Sequence, residues 1–222
     1  MRLLFCNIAW MNYYKGLIPG VDEPYGGGSF VIENQDAHEK YNFDPLHVSF
    51  EDGTEQDVCF GFVETKTSRS GKRQELHIEK IDGCEACGKD DVVEDVLVIY
   101  CAARPYQNFT SVVGWYKHAN VYRRYQELIL PQEDGSEYYQ YYNAEALKGN
   151  CVLLPKNDRR ITQWSVPRRQ TGASFGFGQA NVWFAEGRDE NRALDEFLKK
   201  TVDKIENYQG ENWVDLSPEE LK

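Results

Sequence analysis

VVGWYKHANVYRRY, Val112 to Tyr125, sets three tyrosines, a tryptophan, a histidine and three basic residues within fourteen positions. Val112–Tyr116 has the β-branched and aromatic composition of a strand. It follows the most apolar run of the chain, Val92–Ala103, across the loop Arg104–Phe109. The two runs read as a central antiparallel pair. Lys117 and His118 read as the start of a turn, with Tyr122, Arg123 and Arg124 beyond Asn120.

Outward from this centre, Leu3–Trp10 predicts a first strand and Ser29–Glu33 an extended segment after the glycines at 26–28. Val48–Phe50 and Val58–Lys66 flank Asp52-Gly53 and predict a hairpin. Glu75–Ile81 suggests a further strand. SEYYQYYNAEALKGNCVLLP (136–155) suggests a strand and then a short helix. Asp189–Tyr208 places Ala193, Leu194, Phe197, Leu198, Val202, Ile205 and Tyr208 on one helical face, with Asp189 as N-cap and Gly210 past the last turn. The expected fold is α+β: a strongly curved mixed sheet or small β-barrel of roughly six to eight strands, crossed by a C-terminal amphipathic helix. Residues 1–210 read as a single domain. Residues 211–222 read as an acidic tail or the start of a linker to a further domain.

The net charge of −11 argues against a nonspecific nucleic-acid binder, since phosphate contacts need Lys and Arg. That charge is unevenly spread. Residues 1–100 carry a net −10, residues 181–222 a net −5, and residues 101–180 a net +4, so a local basic face is compatible with the acidic total. No run reaches the length of a membrane span. Asn7 interrupts the short apolar start, which reads as a strand and not a signal peptide. Six cysteines then point to a reducing cytoplasm and free thiols.

Aromatic faces beside guanidinium groups suit a flat polar ring carrying phosphate. Bases stack on such rings, and arginine binds phosphate or a guanine edge. Trp10, Tyr14, Trp115, Tyr116 and Trp183 are the candidate stacking faces. Asn120, Gln179 and Asn181 are the candidate edge readers, and Arg123, Arg124, Arg168 and Arg169 the candidate phosphate contacts. A core tryptophan with arginines solvated at a strand end fits the opening stretch equally well. The catalytic alternative is Val63-Glu64-Thr65-Lys66, an ExK sequence with Asp52 and Asp57 upstream. Two carboxylates holding Mg²⁺ and a lysine orienting water are the parts of a PD-(D/E)xK-type nuclease, although ExK is short enough to arise by chance. Cys84-Glu85-Ala86-Cys87 is half a zinc knuckle, with no second pair to complete four ligands. No cofactor motif is legible: Phe175–Asn181 has the glycines of a phosphate loop but not its lysine.

WMNYYKG (10–16), GGGSFVIEN (26–34), HEKYNF (38–43), VVGWYKHANVYR (112–123), LLP (153–155) and GFGQANVWFAE (176–186) resemble, in this order, a poorly characterised bacterial module. That module stands at the front of restriction or defence nucleases. The resemblance implies a DNA-sensing specificity module, reading a modified base by analogy with PUA and EVE domains, with a nuclease domain or partner protein doing the cutting. A protein-interaction domain is the remaining alternative, in which the aromatic excess serves a partner surface.

Overall fold

A computed structural model describes residues 2–26, 38–65, 75–107, 109–131, 135–160, 162–216 and 220. Ser29–Glu33 and Lys66 lie outside them. Among the described residues the chain is α+β, with one large, mostly antiparallel sheet and one long helix near the C-terminus. The strands are β1 (Leu3–Ile8), β2 (Leu46–Ser49), β3 (Glu55–Gly61), β4 (Val92–Ala103), β5 (Thr110–Pro131), β6 (Glu137–Leu147), β7 (Cys151–Leu153), β8 (Ser165–Val166) and β9 (Val182–Trp183). They line up as β2-β3-β6-β5-β4-β1-β9, with β7 and β8 also on β5. The sheet is therefore open, and the barrel alternative is not what forms. Among the described strands β1 and β4 pair in parallel, Leu3 opposite Leu97 and Ile8 opposite Ala102, and the other pairs are antiparallel.

Strand β5 is the spine. Its first part pairs with β4 on one side and with β7 and β8 on the other, and its later part pairs with β6. The turn expected at Lys117-His118 is not made. The strand runs on for 22 residues because two opposed bulges absorb the polar residues there. Asp95 on β4 and His118 on β5 take positive φ, 57° and 51°, and His118 Nδ1 lies 2.7 Å from Asp95 Oδ1. A third irregularity, near Val113, lets Val112 and Trp115 share one face although they are three positions apart.

Both faces of the central strands are covered, which explains their almost unbroken apolar sequences. One face carries Leu3, Phe5, Leu97, Ile99 and Trp115 beneath the helix α1 (Arg192–Glu206). The helix buries Leu194, Leu198, Thr201 and Ile205, at helical spacing. Its N-cap is Asn191, whose side chain accepts from the Leu194 amide, and not Asp189. The opposite face carries Leu4, Cys6, Val98, Tyr100 and Tyr116 under Met11, Tyr14 and Phe43.

Glu75–Ile81 is not a strand: a 3₁₀ turn at Ile78–Lys80 drives Ile78 and Ile81 inward, while Leu76 bonds to the Arg123 carbonyl. The helix expected before β7 is only a 3₁₀ turn, Lys148–Asn150. The packed body extends past residue 210, since Val214 is buried and the Asn212 side chain bonds to Cys151 and Leu153 backbone. Among the described residues no helix is long and apolar enough to cross a membrane.

Gly114 lies where β5 meets β7 and Phe43. A Cβ there would stand 2.3 Å from the Val152 carbonyl oxygen and 2.6 Å from Phe43 Cζ. Gly114→Ala is expected to lower the unfolding free energy by about 2–3 kcal/mol, seen as a lower urea midpoint. An unchanged midpoint contradicts this approach of backbone and ring.

Candidate functional site

The aromatic residues singled out in the sequence do not meet in one recess. Trp10, Tyr14 and Tyr116 belong to one face of the sheet, and Trp115 and Trp183 to the other. Trp115 has 0 % exposure, stacks on Trp164 at 5.5 Å and meets Tyr208 edge-on. Trp183 packs 4.7 Å from Phe5. Tyr116 is fully buried against Tyr100 and Phe43, and Tyr14 against Phe43. These four rings hold the core because both faces of the sheet are covered. None can stack on a ligand from solvent. Trp10 is the exception: it is nearly buried, yet it lines an open groove.

The arginines are mostly engaged by the protein itself. Arg123 is buried, with Nη1 2.6 Å from Glu79 Oε2 and further donations to the Asp90 and Gly88 carbonyls. Arg168 donates to Thr110 Oγ1 and Asn7 Oδ1 and lies over Phe177. Arg124 pairs with Glu75 at the surface. Arg169 is exposed. Asn120 donates to Glu145, Asn181 is half-buried and anchors β1 through its carbonyl, and Gln179 is exposed. The glycine before Phe177 is explained by packing: a Cβ on Gly176 would lie 2.0 Å from the Pro167 carbonyl oxygen.

The nuclease residues are scattered in role. Asp52 accepts from the Thr54 amide and hydroxyl to close the β2–β3 turn, Asp57 lies 3.0 Å from His47, and Glu64 is exposed. Among the described residues no group of three or more His, Cys, Asp or Glu side chains is placed to hold a metal ion. Cys84 and Cys87 are both buried in a 3₁₀ turn, and burial pushes the Cys84 thiol pKa up.

A groove of about 520 Å³ instead opens at the end of β4. One wall is the loop from Asn12 to Tyr25. The other is the turn Arg104–Gln107, joined by Lys156 and Arg160. Gln107 N donates to the Arg104 carbonyl, Pro105 holds the second position of this turn, and Tyr106 has φ 60° at the third. This is the pattern of a type II turn, whose third position favours glycine. Tyrosine there costs about 1–2 kcal/mol of local strain. The Tyr106 ring is 91 % exposed and touches solvent and Tyr25, centroids 5.2 Å apart. Among the described residues, Arg104, Lys156 and Arg160 form no ion pair with any carboxylate.

The near wall is fixed from inside. Asp22, with no exposure, accepts from the amides of Asn12, Tyr13 and Tyr14, and burial raises its pKa against those donors. Arg159, equally buried, donates to the Leu154, Met11 and Asn12 carbonyls. Its guanidinium lies 5.7 to 5.9 Å from the Trp10, Tyr14 and Trp213 ring centroids. Burial lowers its pKa to about 10, which leaves it charged at neutral pH. The Trp10–Tyr25 backbone bridge then sets Tyr25 at the rim.

Sequence reading missed Tyr25, Tyr106, Arg104, Lys156 and Arg160. The net +4 of residues 101–180 was the available signal. No protein-family model, curated protein or solved structure matches the chain.

Glu79 shows what Arg123 does. Burial raises the Glu79 pKa, but its backbone bond, Arg123 and His77 outweigh this and hold it down to about 2. With a folded pKa below the unfolded 4.5, the ion pair stabilises fully above about pH 4.5, and that contribution is lost as pH falls toward 2. The Glu79 side chain is 31 % exposed, so solvent screening reduces the contribution to roughly 1–2 kcal/mol. Glu79→Gln is expected to be less stable than the native chain by that amount at pH 7. The gap should close between pH 4.5 and 2 in denaturant titrations. A gap independent of pH contradicts the pairing.

Proposed function

We propose that this domain binds a nucleotide unit of a nucleic acid, DNA in the first instance, at the groove between the Asn12–Tyr25 loop and the Arg104–Gln107 turn. The base stacks on the Tyr25–Tyr106 platform over the edge of Trp10, and Arg104, Lys156 and Arg160 take its phosphate and those flanking it along the strand. One observation carries this reading. In a chain of net charge −11, three cations without a carboxylate partner among the described residues surround two exposed rings in contact. The Tyr25 and Tyr106 rings already touch, so the base lies on them and not between them. Acidic surface elsewhere limits phosphate contacts to a few, which favours a single-stranded or extruded nucleotide over tracking along a duplex. The specificity part of a restriction or defence system, reading a modified base, is the setting this proposal fits.

Binding to a short single-stranded oligonucleotide, followed by fluorescence anisotropy at several salt concentrations, tests it. Three phosphate-facing cations predict a slope of log K against log salt of about −2. Arg160→Ala should weaken binding and make that slope shallower by about 0.7. Tyr106→Gly should also weaken binding, with a different signature. It should leave the slope unchanged while reducing affinity by about tenfold or more, and it should hold or raise stability by up to about 1 kcal/mol, since glycine accepts the positive φ. A native chain that binds no nucleic acid, or undiminished binding by Tyr106→Gly, overturns the proposal.

A further inference from the structure

The two walls of the groove offer opposite hydrogen-bonding chemistry. Arg104, Lys156 and Arg160 supply only donors and positive charge. The wall from Asn12 to Tyr25 adds a carboxylate acceptor, Glu23. The Asn12 amide gives one N–H to the Val21 carbonyl at 2.9 Å and keeps one N–H and Oδ1 open, so it can donate or accept. Glu23 Oε1 accepts from the Gly20 amide at 3.0 Å, which leaves Oε2 open and acceptor-only while ionised. Gln107, exposed on the far turn, carries an amide that can donate and accept together. A ligand matched to this groove is anionic at one end and carries hydrogen-bond donors at the other.

Resting on the nucleotide reading of this groove, we infer that it selects bases with an exocyclic amino group (adenine, cytosine and guanine) over uracil and thymine. An amino group presents an N–H donor to the Glu23 carboxylate. Uracil and thymine place carbonyl oxygens on their pairing edge, with one N–H between them. The Glu23 carboxylate then faces a carbonyl oxygen where an amino group would donate, and both groups lose water without gaining a partner. The cations do not reverse the preference, because a phosphate bears full charge and outcompetes a neutral carbonyl for them.

The experiment is calorimetric titration of the full chain with AMP, CMP, UMP, TMP and inorganic phosphate at fixed low salt. AMP and CMP are expected to bind about tenfold or more tightly than UMP and TMP. Glu23→Gln is expected to shrink that ratio to within about threefold, because an amide rotates to donate to a carbonyl. The ratio is the readout, so a general gain in affinity from removing a negative charge does not affect it. Equal binding of all four nucleotides, or an unchanged ratio in Glu23→Gln, overturns the selectivity and leaves the groove as a nucleotide site. Binding of inorganic phosphate alone, or of no probe, overturns the nucleotide reading and the selectivity together.

Discussion

The guanidinium of Arg159 lies wholly inside the protein, and the parts of the fold that matter at the groove are tied to it. Its five N–H donors have one direction each, and the Leu154, Met11 and Asn12 carbonyls lie along three of them. Those contacts join the chain after β7 to the loop after β1. The three surrounding rings add the C-terminal segment, through Trp213, to the same centre. Asp22 closes the other end by collecting three consecutive amides. A buried charge of this kind is a poor source of net stability, but removing one partner of a satisfied set is strongly destabilising. It makes one loop conformation far better than its alternatives, and the groove wall follows from that conformation.

The sheet contributes the second constraint. β4 and β5 are buried on both faces, so each residue along them must choose a layer, and the irregularities near Val113, Asp95 and His118 keep that choice consistent over a long strand. Trp115 anchors the helical layer and Tyr116 the opposite one. The loop between β4 and β5 emerges at the end of the sheet beside the ordered Asn12–Tyr25 loop. This brings Tyr106 to Tyr25 although 81 positions separate them in the sequence.

Much of the scaffold could be read directly. Val92–Ala103 announced a central strand because only a strand buried on both faces tolerates so unbroken an apolar run. The C-terminal helix was visible in its spacing. Lys117-His118 misled because polarity usually marks a turn, and a bulge disguises itself as one in sequence. The density of rings and cations was also legible, but its destination was inverted: the rings pack the core or brace Arg159, and Arg123 and Arg168 bond to the protein's own groups. The groove escaped notice because its defining residues are dispersed over positions 10 to 160. Arg-Pro-Tyr-Gln also lacks the glycine that would flag a type II turn. Tyrosine in that place is a local conflict between sequence and backbone, and such conflicts gather at functional positions.

Strain under an exposed ring, unpaired cations and an internally braced wall all converge on one end of the sheet. Two-dimensional amide NMR of the isotopically labelled chain during titration with a short single-stranded oligonucleotide tests this placement most directly. The expected result is a set of shifted resonances confined to residues 10–25, 104–107 and 156–160, with Trp115 and Trp183 indole signals unmoved. Shifts centred on Asp95 and His118 or on α1, with residues 104–107 silent, contradict it.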